Sequence, residues 1–349
     1  ADTCGAKKNM YVGALLYGVG WFFTGRCETL TQLYLVYGVI AGSGGGTIYN
    51  AVISTTLRWF PDIRGKVTGF LLAASALGPF TLAPLSAVLV QKFGIVRTFE
   101  ILGVLFFIAI TAVGWMLESA PVNYKPVGWN PEPNSTVTAS PERDYQWKEM
   151  LSTPIFYVLL VIYACASTAG TMMINSASVM AQTQIGAAAT LGALIVSVST
   201  LSNFTGRLSF GAIYDKIGGF KSLLLSFSLT IIALLLIGRA HAMSLFIICV
   251  ILLGFAFGGL LVVFPPITGQ HFGIKNLGVN YGIIFLGYAG GSFIGPRVSS
   301  YFLDATGSFS MAYLAAAALA ALGAVLVVVI LISGKKAVPT AQGKAVDLQ

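Results

Sequence analysis

The chain has 349 residues, 56% hydrophobic and only 9% charged. A soluble domain carries about 25% charged residues, so this composition excludes a water-exposed surface over most of the chain and makes lipid the expected solvent. The formal net charge of +8 predicts no nucleic-acid partner, because in so apolar a chain basic residues mark cytoplasmic loops.

The chain opens on a short polar loop, "ADTCGAKK", at residues 1–8. Four apolar stretches follow, near 9–25, 31–54, 67–91 and 95–117, each about long enough to cross a bilayer as a helix. The second contains "GSGGG" (Gly42–Gly46). At membrane depth this is no phosphate loop; small residues there let helices approach closely. Residues 118–153 form a polar segment rich in Pro, Asn and Ser, read as a linker. Its end, "DYQWKEMLSTP", is expected to form a short amphipathic surface helix. Six more spans follow, near 154–182, 187–211, 221–239, 243–266, 280–302 and 309–333, then a tail at 334–349. The expected organisation is residues 1–117 as an N-terminal bundle, 118–153 as linker, 154–333 as a six-helix bundle and 334–349 as tail. Gly78-Pro79 and Gly295-Pro296 predict helix bends.

Taking the spans alternately, the linker side holds fourteen Lys and Arg residues and the other side four. The linker and both ends of the chain are therefore expected in the cytoplasm, in a multi-pass plasma-membrane protein. Asn134 begins a glycosylation sequon, but on the wrong side for use. Cys4, Cys27, Cys165 and Cys249 lack metal-ligand spacing, and His241 and His271 are the only histidines. No nucleophile–base pair, metal set or cofactor motif is visible. The chain does not read as an enzyme, and no cofactor or metal is expected.

The opening loop has a partner. "ADTCGAKK" and "YDKIGGFK" both read D-x-x-G with a Lys three residues after the Gly. Asp2, Gly5 and Lys8 pair with Asp215, Gly218 and Lys221 at an offset of 213. The same offset relates Gly65 to Gly278, Gly69 to Gly282, Gly78 to Gly291 and Gly94 to Gly307. Such an internal repeat implies two similar bundles packed about an axis normal to the membrane, with a substrate site between them. By the offset, two further helices are expected before Asp2. The chain thus reads as an N-terminally truncated protein holding ten of twelve helices.

At these motifs the sequence resembles the major facilitator superfamily. "GAIYDKIGGFK" (Gly211–Lys221) is similar to that family's G-x-x-x-D-[RK]-x-G-x-[RK] loop, and "ADTCGAKK" to its first copy, with Thr3 where a basic residue is usual. More narrowly, "YNAVISTTLRWFPDIRGKVTGF", "EMLSTPIFYVLL", "GRLSFGAIYDKIG" and "KNLGVNYG" resemble the oxalate/formate antiporter family. The resemblance implies an all-α integral membrane fold and alternating access. It also implies a small organic anion as substrate, moved with a counter-anion or proton. It makes Asp2, Gly5, Arg64, Asp215, Lys216 and Gly218 candidates for a conformational latch, with Arg64 a partner for Asp2. The alternative for these residues is a solvated turn carrying positive-inside charges.

Arg207 lies two turns before Asp215, within an apolar span. A charge at the centre of a membrane helix costs about 2.5–3.5 kcal/mol even on the lenient insertion scale. Snorkelling or a structural ion pair would explain it; so would an anion bound in a water-filled cavity, since the guanidinium fork matches a carboxylate. The family's carboxylate-binding Arg falls at Arg207. Its second basic residue falls at Tyr288, and its aromatic pair at Phe257 and Leu261. One fixed positive charge suits a monoanion, so formate, pyruvate or lactate is favoured over oxalate. Tyr49 fits either a cavity-lining hydroxyl or a packed ring. Two other classes stay open: a membrane carboxylate sensor without transport, and a carrier of another small solute on the same fold.

Overall fold

The computed structural model describes residues 5–121, 124, 126 and 143–336. Asp2, most of the linker, including Asn134, and the tail from residue 337 lie outside the described residues. The first helix, α1 (Ala6–Thr24), follows directly on Gly5, whose φ of 81° is a backbone setting that L side chains rarely adopt. Gly218 repeats it, with φ 84° and ψ 166°, at the junction of α8 (Ala189–Ile217) and α9 (Gly219–Ile237). The two D-x-x-G glycines thus share one conformation.

The second pass begins at α2 (Leu30–Leu33), where Thr29 and Gln32 form a capping box. It runs without a break through a π-helical stretch, Tyr34–Ala41, into α3 (Gly42–Trp59). The π stretch has no signal in the sequence. "GSGGG" sits in the first turns of α3, and Gly44 packs against the backbone of Gly13 and Tyr17 on α1. A Cβ on Gly44 would overlap those atoms, so close helix approach is what that glycine permits.

The third and fourth passes are α4 (Arg64–Ala76) and α5 (Gly78–Met116). Leu77 interrupts the first of these, one residue before the expected Gly78-Pro79 bend. Gly94, at φ 76°, divides α5, so that α4 and the first part of α5 make the third pass and the rest of α5 the fourth. A five-residue helix, α6 (Trp147–Leu151), is the amphipathic helix at the linker's end, held by Gln146 and Glu149 as reciprocal caps. Then come α7 (Pro154–Ile185), which starts on a proline as helices favour and stops at the left-handed Gly186, followed by α8, α9, α10 (Met243–Phe272), α11 (Leu277–Thr306) and α12 (Ser310–Lys336).

Among the described residues this makes ten helical passes. Six segments are apolar and long enough to span a membrane on composition alone, with mean hydropathy from 1.3 to 3.0. The remaining four carry more polar or small residues: Lys7 and Lys8 in α1, glycines in α3, Arg64 and Lys66 in α4, and Arg207, Asp215 and Lys216 in α8. Packing mirrors the repeat: α1 lies on α3 and α5 as α9 lies on α10 and α12. The halves meet along two seams, α4 against α8 and α3 against α11. Gly69 abuts the Arg207 carbonyl at the first seam, and Gly282 faces Asn50 at the second.

Candidate functional site

Arg207 is positioned by its backbone before its side chain is considered. A side chain at Gly69 on α4 would come within 2.6 Å of the Arg207 carbonyl, and one at Gly258 on α10 would strike the Asn203 carbonyl one turn earlier. The two glycines let α4 and α10 close on α8 at this level. Ten residues separate Arg207 from the end of α8, which puts its Cα about 15 Å from the basic end of the bundle.

The guanidinium is half-buried and meets no carboxylate within ion-pair distance among the described residues. Its Nε donates to Asn203 Oδ1 at 2.8 Å, one turn back on the same helix. Its Nη1 crosses to the other half, donating to Ser75 Oγ at 2.8 Å and to the Leu72 carbonyl. The Ser75 hydroxyl in turn donates to that carbonyl at 2.7 Å. Among the described residues Nη2 holds no hydrogen bond. Leu72 and Ser75 line a cavity of about 350 Å³ together with Tyr17, Tyr49, Val52 and Ile53. That is within the range of small-ligand sites.

Tyr49 stands on the cavity wall and reaches the other half. Its hydroxyl lies 3.4 Å from that of Tyr281, which lies 3.2 Å from that of Tyr163. Tyr49, Tyr163 and Tyr288 all lie within electrostatic reach of Arg207. The Tyr288 ring stacks on Phe285 at 4.7 Å and faces Phe257 at 6.4 Å. Phe257 itself fits against α7 only because Gly170 has no side chain. Arg207, Tyr49, Tyr288 and Phe257 therefore converge. Ser75, Leu72, Asn203, Tyr163 and Tyr281 join them without having been singled out from the sequence. Only Asn203, one helical turn before Arg207, left a local signal.

The second charged site lies at the basic end. Asp215 accepts from the backbone N–H of Gly65 at 2.8 Å and of Lys66 at 2.9 Å, at the N-terminus of α4 in the other half. Free N–H groups and the helix dipole favour a carboxylate there. Burial nonetheless pushes the Asp215 carboxyl above its ordinary value, against the pull of those two bonds. Gly65 is needed for the approach, since a Cβ would stand 2.8 Å from Asp215 Oδ1 and collide with the Gly211 carbonyl. Arg64 is buried beside Tyr214, and that burial pulls its guanidinium down from its ordinary value. It thus lies on the Asp215 side of the interface. Lys216 is exposed. A further tie joins the halves nearby: Arg58 of α3 donates to the carbonyls of Ile274 at 3.3 Å and Lys275 at 2.8 Å, in the loop between α10 and α11. The linker's Asp144 accepts from the N–H of Lys275 at 3.2 Å.

A helical protein with this internal pairing, joined at one end by carboxylate-to-helix bonds and carrying a largely apolar cavity, edged by Ser75 and two tyrosines, beside a half-buried arginine, has the architecture of a membrane carrier. The family model described as Major Facilitator Superfamily matches residues 1–238 and again 160–347, and the chain belongs to that superfamily of transporters. It is 29% identical over 295 residues to YhjX, an uncharacterized MFS-type transporter of Escherichia coli K12, covering 83% of this chain and 70% of YhjX. It is 28% identical over 296 residues to the oxalate:formate antiporter of Oxalobacter formigenes, covering 84% and 68%. Identity to monocarboxylate transporter 12 of Xenopus laevis is 23% over 332 residues, covering 88% and 70%. Among solved structures, the human organic anion transporter MFSD10 (TETRAN) superposes with a TM-score of 0.72 at 14% identity, covering 93% of this chain and 78% of that one. The transporter FucP in its outward conformation superposes at 0.67 and 15%, covering 94% and 84%. The expected superfamily and all-α membrane fold are thereby borne out.

Proposed function

We propose that the protein moves a small organic anion across the plasma membrane by alternating access, with a monocarboxylate such as formate, pyruvate or lactate as its cargo. The observation that carries this reading is Arg207: a cation within an apolar span, facing no carboxylate among the described residues, held at Nε and Nη1 beside a cavity. A carboxylate entering there would meet a fixed positive charge with N–H groups to donate. Tyr49 would face it from the opposite half, and Phe257 and Tyr288 would form an apolar wall around its short carbon chain. With Tyr288 where a second cation would stand, one positive charge matches one negative charge.

The names of the oxalate:formate antiporter and the monocarboxylate transporters support the substrate class. Asp215 acts as a latch at the cytoplasmic end, holding the halves together there and releasing Gly65 and Lys66 when that end opens. By the repeat in the sequence, Asp2 and Gly5 belong to a second copy of the same latch loop. The basic end, and with it both ends of this chain, faces the cytoplasm. A counter-anion or a proton completes the cycle.

The test is uptake into proteoliposomes made with the full-length protein. Labelled formate, pyruvate, lactate and oxalate are offered with and without internal counter-anion. Saturable uptake of at least one, lost in Arg207→Gln, is expected. Uptake of none, or uptake indifferent to that substitution, would overturn the reading.

A further inference from the structure

The acceptors that hold Arg207 lie on the opposite half of the molecule from Arg207 itself. Nη1 on α8 bonds Ser75 Oγ and the Leu72 carbonyl on α4. The Leu72 carbonyl also takes the Ser75 proton, so the hydroxyl's hydrogen is engaged and its lone pairs are left for the guanidinium. Leu72 is buried and Ser75 is open to the cavity. The cation is therefore partly satisfied in the absence of any anion, at Nε and Nη1, by neutral oxygens, and at Nη1 across the seam that must open and close.

We propose that Ser75 and the Leu72 carbonyl form the resting acceptor of Arg207, a tether between the halves that an incoming carboxylate displaces. This rests on the reading of Arg207 as the anion's contact. Two consequences follow from competition for one donor. The tether lowers apparent affinity, because the anion must replace bonds already made. It also lets the empty protein bring its halves together with the half-buried cation partnered at Nε and Nη1, which matters because desolvating a charge is costly. Ser75 is then a coupling residue: it determines how readily the unloaded carrier crosses, and so the balance between net uptake and exchange. A carrier with a strong tether returns empty and performs net transport; one without it crosses mainly when loaded.

Ser75→Ala removes one acceptor and the hydroxyl that orients the other. Because hydrogen bonds to charged groups carry more than neutral ones, the expected result is a KM for the transported anion lowered roughly five-fold. Net uptake into vesicles without internal anion should fall by a similar factor relative to exchange. Ser75→Thr keeps the hydroxyl and should restore both. A structural readout needs no substrate: spin labels on the ends of α4 and α8 in anion-free protein should show a broader distance distribution in Ser75→Ala and in Arg207→Gln than in the wild type.

The outcomes separate cleanly. An unchanged KM, an unchanged exchange-to-net ratio and an unchanged distance distribution in Ser75→Ala, with Arg207→Gln inactive, would overturn the tether and leave the site standing. A raised KM in Ser75→Ala would make Ser75 an ordinary contact to the anion and also overturn it. Normal uptake by Arg207→Gln would remove the site and the tether together.

Discussion

The carboxylate of Asp215 on α8 accepts the backbone N–H of Gly65, 2.8 Å away and 150 residues earlier in the chain. Its second oxygen takes the next N–H, that of Lys66. One side chain thereby bonds two successive backbone N–H groups across the α4–α8 seam at the basic end. It does so by filling the donors at the start of α4, where a helix has N–H groups without internal partners.

Replacing Asp215 with Asn keeps the shape but removes the charge and leaves one carbonyl oxygen for two donors. A surface charge at a helix terminus is worth roughly 0.3–1 kcal/mol, so the closed population at this end should fall by up to about five-fold. Cysteine pairs across α4 and α8 should cross-link more slowly in Asp215→Asn. Unchanged cross-linking would show that the bond contributes nothing to closure.

Gly65 tests the same contact from the other side. Gly65→Val adds atoms where the Gly211 carbonyl and the Asp215 carboxylate already lie. Overpacking of this kind costs typically about 1–3 kcal/mol. The variant should reach the membrane in normal amount, fail to close at the basic end, and lose at least about ten-fold in transport rate. Transport at the wild-type rate would mean that the seam has slack the close approach does not suggest.

Arg207→Lys preserves the charge but not the planar fork. A Lys ammonium cannot hold Asn203, Leu72 and Ser75 at once and still offer a paired face to a carboxylate. Its KM for the transported anion should rise about ten-fold, with maximal rate less affected. A KM equal to the wild type would reduce the role of Arg207 to that of a point charge.

Tyr281 is the middle of three hydroxyls, between Tyr49 of one half and Tyr163 of the other. Tyr281→Phe leaves both neighbours without that partner, at a cost of about 1 kcal/mol. A lower melting temperature in detergent is the expected result. Thermal stability at or above the wild-type value would make the three rings a packing cluster whose hydroxyls are incidental.

Tyr288→Lys would place a second cation in electrostatic reach of Arg207. A dianion then gains a partner that a monoanion does not need. The ratio of oxalate to formate uptake should rise by about an order of magnitude, a modest demand on a charge pair at low dielectric. No change in that ratio would mean that Tyr288 lies away from the anion's path.

Much of this was legible in the residues. Gly5 and Gly218 sit at the same place in a repeated D-x-x-G loop and adopt the same positive φ, because the turn into the next helix is the same turn. Arg207 stands out by the cost of a charge in an apolar span, and Gly44 by the helix contact it permits. The Tyr34–Ala41 π stretch carries no such mark, since one extra residue in a turn leaves an apolar pattern apolar.

What the sequence by itself determined is therefore the solvent, the two-fold repeat, the helices and the charge of Arg207 within an apolar span. All follow from hydrophobicity, spacing and the energetic cost of a buried cation. The tertiary structure alone decided which oxygens satisfy that cation. Ser75 and the Leu72 carbonyl are 132 and 135 residues from Arg207, and a serine or a backbone carbonyl looks the same wherever it occurs. The tertiary structure also decided that Arg64 lies beside Tyr214 and that Asp215 caps α4. A hydrogen bond reaches about 3 Å, and only the packing of glycine-faced helices across the seam brings these groups that close.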